Sequence, residues 1–107
     1  MDYKKLMDDH IAFAIPTFKN STAFSSLLKL RTEIEEVEIE MLYGTTKMFL
    51  PAEYADCMMC ILDSAARAGI LPNEIMIAFA EKLEINKLRE WVENPDHTYS
   101  HVKKTIA

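Results

Sequence analysis

Apolar side chains recur every three or four residues along most of this chain of 107 residues, which places them on one face of a helix. Only two glycines and four prolines interrupt the chain, a composition typical of long helices and unlike turn-rich β-architecture. The pattern therefore predicts an all-α fold. Its clearest expression is an apolar seam made of Leu27, Leu30, Ile34, Val37 and Met41.

The predicted helices are separated by residues that start or stop a helix. Pro16 ends the first helix or follows its end, and Gly44 and Gly69 lie where a left-handed residue would close the second and third. The chain becomes polar after Asn94-Pro95, so we expect a loosely held tail from about residue 94. We predict a four-to-five-helix bundle in a single domain, residues 1–107, with helices at about 2–14, 22–42, 51–68 and 73–92.

The charge balance and the apolar distribution exclude several classes of partner. A net charge of −5 argues against a nucleic-acid polymer, because a phosphate backbone requires a basic surface. No run of about 18 apolar residues is present and the first residues lack the apolar stretch of a signal peptide, so no membrane partner is expected. Two cysteines and seven methionines favour a reducing, cytoplasmic setting.

Two acidic pairs, each three residues apart on a predicted helix, carry the strongest chemical signal. They are Glu33 with Glu36 and Glu53 with Asp56. If the two helices pack antiparallel, all four carboxylates converge, and hard divalent cations relieve the resulting repulsion. The alternative is a charged helix surface with no further role. The second pair lies in an otherwise apolar helix, which favours a Mg²⁺ site.

A second polar stripe lies on the predicted fourth helix. Lys82, Asn86, Arg89 and Glu93 follow one another at spacings of four, three and four residues. Two cations and an amide on one face could bind phosphate oxygens together with a sugar or a base. The alternative is an ordinary amphipathic surface whose cations pair with nearby glutamates, namely Glu81, Glu84 and Glu90.

Cysteine and histidine residues form two short patterns that could be mistaken for a zinc site. Cys57 and Cys60 have the C-x-x-C spacing, and His97 and His101 are four residues apart. A long separation between the two pairs and the apolar surroundings of the cysteines favour small core thiols instead. We also expect His10, on the apolar side of the first helix, to be a satisfied interface residue.

Taken in chain order, these motifs resemble the MazG-like all-α nucleoside triphosphate pyrophosphohydrolases. The chain looks most similar to the phage and bacterial dATP/dGTP diphosphohydrolase-like branch, over roughly residues 13–93. It has Thr32 where many members carry a further glutamate. The resemblance is carried by three strings: Leu30-Arg31-Thr32-Glu33-Ile34-Glu35-Glu36-Val37, Glu53-Tyr54-Ala55-Asp56 and Lys82-Leu83-Glu84-Ile85-Asn86-Lys87-Leu88-Arg89-Glu90-Trp91.

The resemblance implies hydrolysis of (deoxy)nucleoside triphosphates between the α and β phosphates, giving the monophosphate and pyrophosphate. By matching positions, the catalytic and metal-binding residues would be Glu33, Glu36, Glu53 and Asp56, holding Mg²⁺ or, as a substitute, Mn²⁺. The residues contacting the phosphates or the nucleoside would be Lys82, Asn86 and Arg89.

The resemblance further implies a homodimer or homotetramer in the cytoplasm of a bacterium or of a phage-infected host. One alternative stays open from the sequence. A non-catalytic helical module could retain the fold and bind a nucleotide or a protein partner.

Overall fold

The computed structural model describes residues 1–44 and 50–103, which form four α-helices and a two-stranded β-hairpin. The elements are α1 (Tyr3–Thr17), α2 (Ala23–Tyr43), α3 (Leu50–Arg67), α4 (Pro72–Leu88), β1 (Trp91–Glu93) and β2 (Tyr99–His101). The predicted all-α class is thereby confirmed, with the hairpin as an addition. Most of the connection predicted at 44–50 lies outside the described residues. Among the described helices, none is long and apolar enough to cross a membrane.

The first two helices begin at side-chain caps that the sequence supplies. Asp2 accepts a hydrogen bond from the backbone N–H of Lys5 at 3.0 Å. Thr22 accepts one from Ser25 at 3.0 Å, and the Ser25 hydroxyl accepts from the Thr22 N–H at 2.8 Å. These bonds satisfy backbone donors that have no partner inside a helix, so each helix begins directly after its cap. Pro16 lies in the last turn of α1, where its missing N–H disturbs only the helix end.

Of the two glycines, one behaves as predicted and the other does not. Gly69 has φ +86, and the N–H of Ile70 donates to the Ala65 carbonyl at 2.8 Å, which is the left-handed closure expected after α3. The prediction of a left-handed Gly44 is wrong, because Gly44 is extended at φ −69 and ψ 142. Its N–H donates to the Glu40 carbonyl at 2.9 Å, which closes the last turn without a positive φ.

The loosely held polar tail predicted from about residue 94 is also wrong. α4 ends at Leu88, and the chain turns back at Asn94 to pair β1 with β2, with Trp91 opposite His101. The Asn94 side chain donates to the hydroxyls of Thr98 and Ser100 at 3.0 and 2.9 Å, which stabilises the turn. Turn-forming residues flanked by aromatic and β-branched ones are the ordinary sequence pattern of a hairpin. The helical stripe predicted from Lys82 to Glu93 therefore loses its last two members, because Arg89 and Glu93 both lie beyond the end of α4 at Leu88.

The chain divides into two compact units, residues 1–75 and 76–107. The first unit contains α1, α2 and α3, with α2 packed along α3 and α1 packed on α3. Its core includes the buried side chains of Ala14, Val37 and Leu62, one from each of these three helices. The second unit contains most of α4 and the hairpin. The predicted single domain stays a prediction.

A buried ion pair ties the three helices of the first unit together. The Arg67 guanidinium donates to the Asp63 carboxylate at 3.0 Å and to the carbonyls of Ser21 and Ala14 at 2.9 and 3.2 Å. Ser26 on α2 donates its hydroxyl to the same Asp63 oxygen. The side chains of Arg67 and Asp63 are only 8% and 11% exposed. One guanidinium on α3 therefore holds both the end of α1 and the start of α2.

We expect Arg67→Ala to lower the free energy of unfolding by about 3 kcal/mol or more, because it leaves the Asp63 carboxylate buried without its cation. Urea titration at fixed protein concentration measures this loss. The matched control is Lys4→Ala, whose ion pair with Asp8 is exposed to solvent and should contribute little to stability. Equal losses in the two variants would contradict the anchoring role of Arg67.

Candidate metal centre

Three of the acidic side chains selected from the sequence converge between α2 and α3. One carboxylate oxygen each from Glu33, Glu53 and Asp56 lies within 4.8 Å of the other two. Two oxygens bound to one divalent cation at about 2.0–2.6 Å cannot lie further apart than about 5 Å. The spacing therefore suits a single cation between them. Glu33 is buried, Glu53 half-buried and Asp56 exposed, so the group reaches from the interior to the surface.

The convergence follows from the register of two antiparallel helices. Ser26 on α2 is hydrogen bonded to Asp63 on α3. Seven residues further along α2 lies Glu33, and seven residues back along α3 lies Asp56. Seven residues are about two helical turns, so the same faces meet again at this second level. The i, i+3 spacing then adds Glu53 to the same face of α3.

The electrostatics of the group fit a cation-binding site. Glu53 Oε2 is buried and has no hydrogen-bond partner among the described residues. Desolvation raises the pKa of Glu53 above its ordinary value, and the negative charges of Glu36, Asp56, Glu33 and Glu40 raise it further. An unpartnered buried carboxylate oxygen surrounded by other carboxylates is a donor set that fits a hard divalent cation.

The fourth predicted ligand, Glu36, is exposed and lies outside the group of three oxygens, although its charge acts on Glu53. Glu33 is paired with the Lys29 ammonium at 3.0 Å. That hydrogen bond, together with attraction to the charge of Glu33, raises the pKa of Lys29. The Lys29 side chain is 61% exposed, so it shields Glu33 at the edge of the site without sealing it.

The residues predicted to contact substrate lie in the second unit. Arg89 follows the end of α4 and donates to the side-chain oxygen of Asn86 at 3.0 Å. The indole N–H of Trp91 donates to the Asn86 carbonyl, also at 3.0 Å. Lys82 lies about one turn earlier on α4. Asn86 and Arg89 thus adjoin, and the role of the three residues stays a prediction.

Cys57 and Cys60 are free, half-buried thiols on α3. Burial raises the pKa of both thiols, and the negative charges of Glu33 and Asp56 contribute to the rise. Protonated thiols are poor metal ligands and poor nucleophiles. Among the described residues, His97 bonds instead to Glu93 on the hairpin. The arrangement agrees with the choice of packing thiols over a zinc site.

A cavity of about 710 Å³ adjoins the carboxylates, and sequence reasoning did not predict it. Glu33 and Asp56 belong to its wall, which is lined by polar and apolar residues but is apolar over most of its surface area. Phe13 and Phe18 contribute to the wall and contact each other edge to face, with ring centroids 5.9 Å apart. Some of the apolar residues of α1 form part of this wall. The volume lies within the range of small-molecule sites.

Comparison with known proteins places these features in a family. Residues 6–107 match the family model described as dATP/dGTP pyrophosphohydrolase. The chain is 35% identical over 102 residues to the dATP/dGTP diphosphohydrolase of Salmonella phage PMBT28, covering 94% of this chain and 31% of that protein. It is 46% identical over 46 residues to the Eaa protein of Salmonella phage P22, covering 43% of this chain and 14% of that protein. The chain therefore spans less than a third of the length of these curated relatives.

A solved structure shares the fold. It is a MazG-like pyrophosphohydrolase of cyanophage S-2L, bound to dGDP and to three catalytic Mn²⁺ ions per active site. The TM-score is 0.74, the alignment covers 94% of this chain and 93% of that chain, and the sequences are 24% identical. The MazG-like fold predicted from the resemblance is confirmed.

We expect Glu53→Gln to stabilise the metal-free protein and to abolish its stabilisation by Mn²⁺. Because the pKa of Glu53 is raised, the folded state binds that proton more tightly than the unfolded chain does. Ionisation of Glu53 therefore opposes folding at neutral pH, and the opposition fades as the pH falls. Thermal melts at pH 7 with and without Mn²⁺ measure both effects. For a competent site, Mn²⁺ at about 100 times its Kd should raise the free energy of unfolding by about 2.7 kcal/mol.

The matched control is Glu35→Gln, which removes the same charge from an exposed position on α2 outside the carboxylate group. This control should keep the full Mn²⁺ response. A Glu53→Gln protein that Mn²⁺ stabilises as strongly as it does the unmodified chain would remove Glu53 from the metal site.

Proposed function

We propose that this chain, which belongs to the dATP/dGTP pyrophosphohydrolase family, hydrolyses (deoxy)nucleoside triphosphates between the α and β phosphates, giving the monophosphate and pyrophosphate. The observation that carries the proposal is the group of three carboxylates, one with an unpartnered buried oxygen, beside a cavity of nucleotide size. The names of the relatives support it. One is a dATP/dGTP diphosphohydrolase, and the structural neighbour binds dGDP and Mn²⁺.

The proposed metal ligands are Glu33, Glu53 and Asp56, with Glu36 as the fourth. All four offer hard oxygen donors, which suit Mg²⁺ or Mn²⁺ and not softer metals. A divalent cation held there would neutralise triphosphate oxygens and acidify the attacking water. Carboxylates from two rigid helices keep these groups in fixed positions, which is the main contribution a protein makes to phosphoryl chemistry.

Other side chains supply positive charge and exclude water. Lys29 lies beside Glu33, and its long exposed side chain can move from the carboxylate to a phosphate oxygen. The apolar cavity wall excludes water from the nucleoside. We also propose that Lys82, Asn86 and Arg89 contact the phosphates or the nucleoside, because a guanidinium and an ammonium are the groups that bind phosphate most readily.

We further propose that the protein acts as a homodimer or homotetramer. Leu27, Ile34 and Met41 follow one another at seven-residue spacing on α2 and are 42%, 43% and 57% exposed. On α3, Met58 and Ile61 are 60% and 47% exposed. A heptad-spaced apolar stripe is the surface that packs against a further helix.

Asp56→Asn should reduce turnover at least about 100-fold while leaving helicity unchanged, because an amide is a weak ligand for a hard cation. The measurement is release of pyrophosphate and monophosphate from canonical dNTPs and NTPs with Mg²⁺ or Mn²⁺, and with EDTA as a blank. Glu35→Gln is the matched control and should turn over like the unmodified chain. A fully active Asp56→Asn protein would refute the metal site, and substrate-induced stabilisation without turnover would favour the non-catalytic nucleotide-binding module.

The oligomer proposal predicts that Ile34→Lys lowers the molar mass in solution by at least half, because a buried ammonium would face an apolar partner surface. Size-exclusion chromatography with light scattering gives the mass directly. Tyr3→Lys is the control, since Tyr3 is 70% exposed outside the stripe and should leave the mass unchanged. A monomeric unmodified chain would refute the proposal.

A further inference from the structure

Two buried polar atoms in the cavity wall have no hydrogen-bond partner among the described residues. They are Oδ1 of Asp63 and Nδ1 of His10, and both residues line the cavity. Asp63 is only 8% exposed. Polar atoms removed from water almost always have partners, because an unsatisfied one costs free energy. The expectation that His10 would be satisfied by its neighbours is wrong at this nitrogen.

The Asp63 carboxylate is held so that only one oxygen remains available. Its Oδ2 accepts hydrogen bonds from the Ser26 hydroxyl at 2.5 Å and from Arg67 Nε at 3.0 Å. Burial alone would raise the pKa of Asp63, but these hydrogen bonds and the charges of Arg67 and His10 bring that pKa below its ordinary value. Asp63 is therefore ionised at neutral pH, and Oδ1 can accept a hydrogen bond but cannot donate one.

Along the helices that line the cavity, the carboxylates and Asp63 are separated by about the length of a nucleotide. Asp63 lies seven residues beyond Asp56 on α3, and Ser26 lies seven residues before Glu33 on α2. Seven residues span about 10 Å of helix. A nucleoside monophosphate has about this reach from its phosphorus to the far edge of its base. A nucleotide with its phosphates at the carboxylates therefore brings its base towards Asp63 and His10.

We propose that Asp63 and His10 read the base of the bound nucleotide and select guanine, with Asp63 Oδ1 accepting from N1–H and His10 Nδ1–H donating to O6. This inference rests on the proposed function, since it concerns the same site. Guanine presents a carbonyl acceptor next to an N–H donor, the complement of an imidazole donor next to a carboxylate acceptor. Adenine presents the reverse order, with its unprotonated N1 opposite the carboxylate.

The test measures binding, so that it does not depend on turnover. The probes are dGTP, dITP and dATP analogues in which a methylene group replaces the oxygen between the α and β phosphates. Their affinities for the full chain are measured by calorimetry with Mn²⁺. Hypoxanthine keeps O6 and N1–H, so the dITP analogue should bind within about threefold of the dGTP analogue. The dATP analogue should bind at least about tenfold more weakly.

Variants of the two residues should both reduce the preference for guanine, but to different extents. Asp63→Asn keeps an oxygen for Ser26 and Arg67 but turns an N–H₂ donor towards the base, so the preference should shift to the dATP analogue. His10→Phe removes only the hydrogen-bond donor to O6. It should weaken binding of the dGTP analogue about tenfold and change binding of the dATP analogue little. Asp8→Asn is the matched control, because Asp8 is an exposed carboxylate on the same helix as His10 and is not part of the cavity wall, and it should keep the original preference.

Equal affinity of the unmodified chain for the three analogues, or binding of none of them, would overturn the inference. The inference would also be overturned if the variants weakened binding of all three analogues by one common factor, because a merely structural role affects every base alike. Failure of the proposed function shows itself separately, as the absence of pyrophosphate release from natural dGTP by a chain that binds the analogues with the expected preference.

Discussion

The register between α2 and α3 is the constraint on which the rest of the first unit depends. It is fixed where Ser26 and Arg67 both donate to one oxygen of Asp63, with Arg67 also holding the carbonyls that precede α2. A helix pair that slipped by one residue would turn Glu33 and Asp56 away from each other, because neighbouring residues on a helix point about 100° apart. Apolar packing is tolerant of such slips, whereas a buried charge whose hydrogen bonds must be satisfied is not.

The same register that brings the carboxylates together also makes their mutual repulsion costly. Glu33, Glu53 and Asp56 repel one another, and the nearby charges of Glu36 and Glu40 add to the repulsion at Glu53. Fully buried apolar side chains are few among the described residues, so little hydrophobic free energy is available to offset that cost. Cation binding would remove the repulsion and so contribute to folding as well as to chemistry. This coupling also explains how a chain of net charge −5 could accept an anionic nucleotide.

Much of the fold could be predicted because it depends on local patterns. Apolar spacing located four helices to within a few residues, and the i, i+3 acidic pairs located three carboxylates that do converge. What was not predicted depends on contacts that the helical pattern does not contain. His10, on the apolar side of its helix, was predicted to be a satisfied interface residue, yet it lines a cavity. The continued periodicity through Trp91 extended α4 too far, since the pairing of β1 with β2 decides that segment.

The α2–α3 pair brings polar side chains together at two levels, which are two helical turns apart. At one level the paired side chains are carboxylates that face each other across the helices, and at the next level the pair is Ser26 with Asp63. Asp63 occupies on its helix the position that Asp56 occupies two turns earlier, but the Arg67 guanidinium neutralises it in place of a metal. At Asp63 the fixed Arg67 cation leaves one carboxylate oxygen free to accept from a neutral N–H group. The carboxylates around Asp56 keep an excess of negative charge, which a mobile cation would neutralise. The proposed roles of the two aspartates, recognition for Asp63 and metal binding for Asp56, thus lie seven residues apart on one helix.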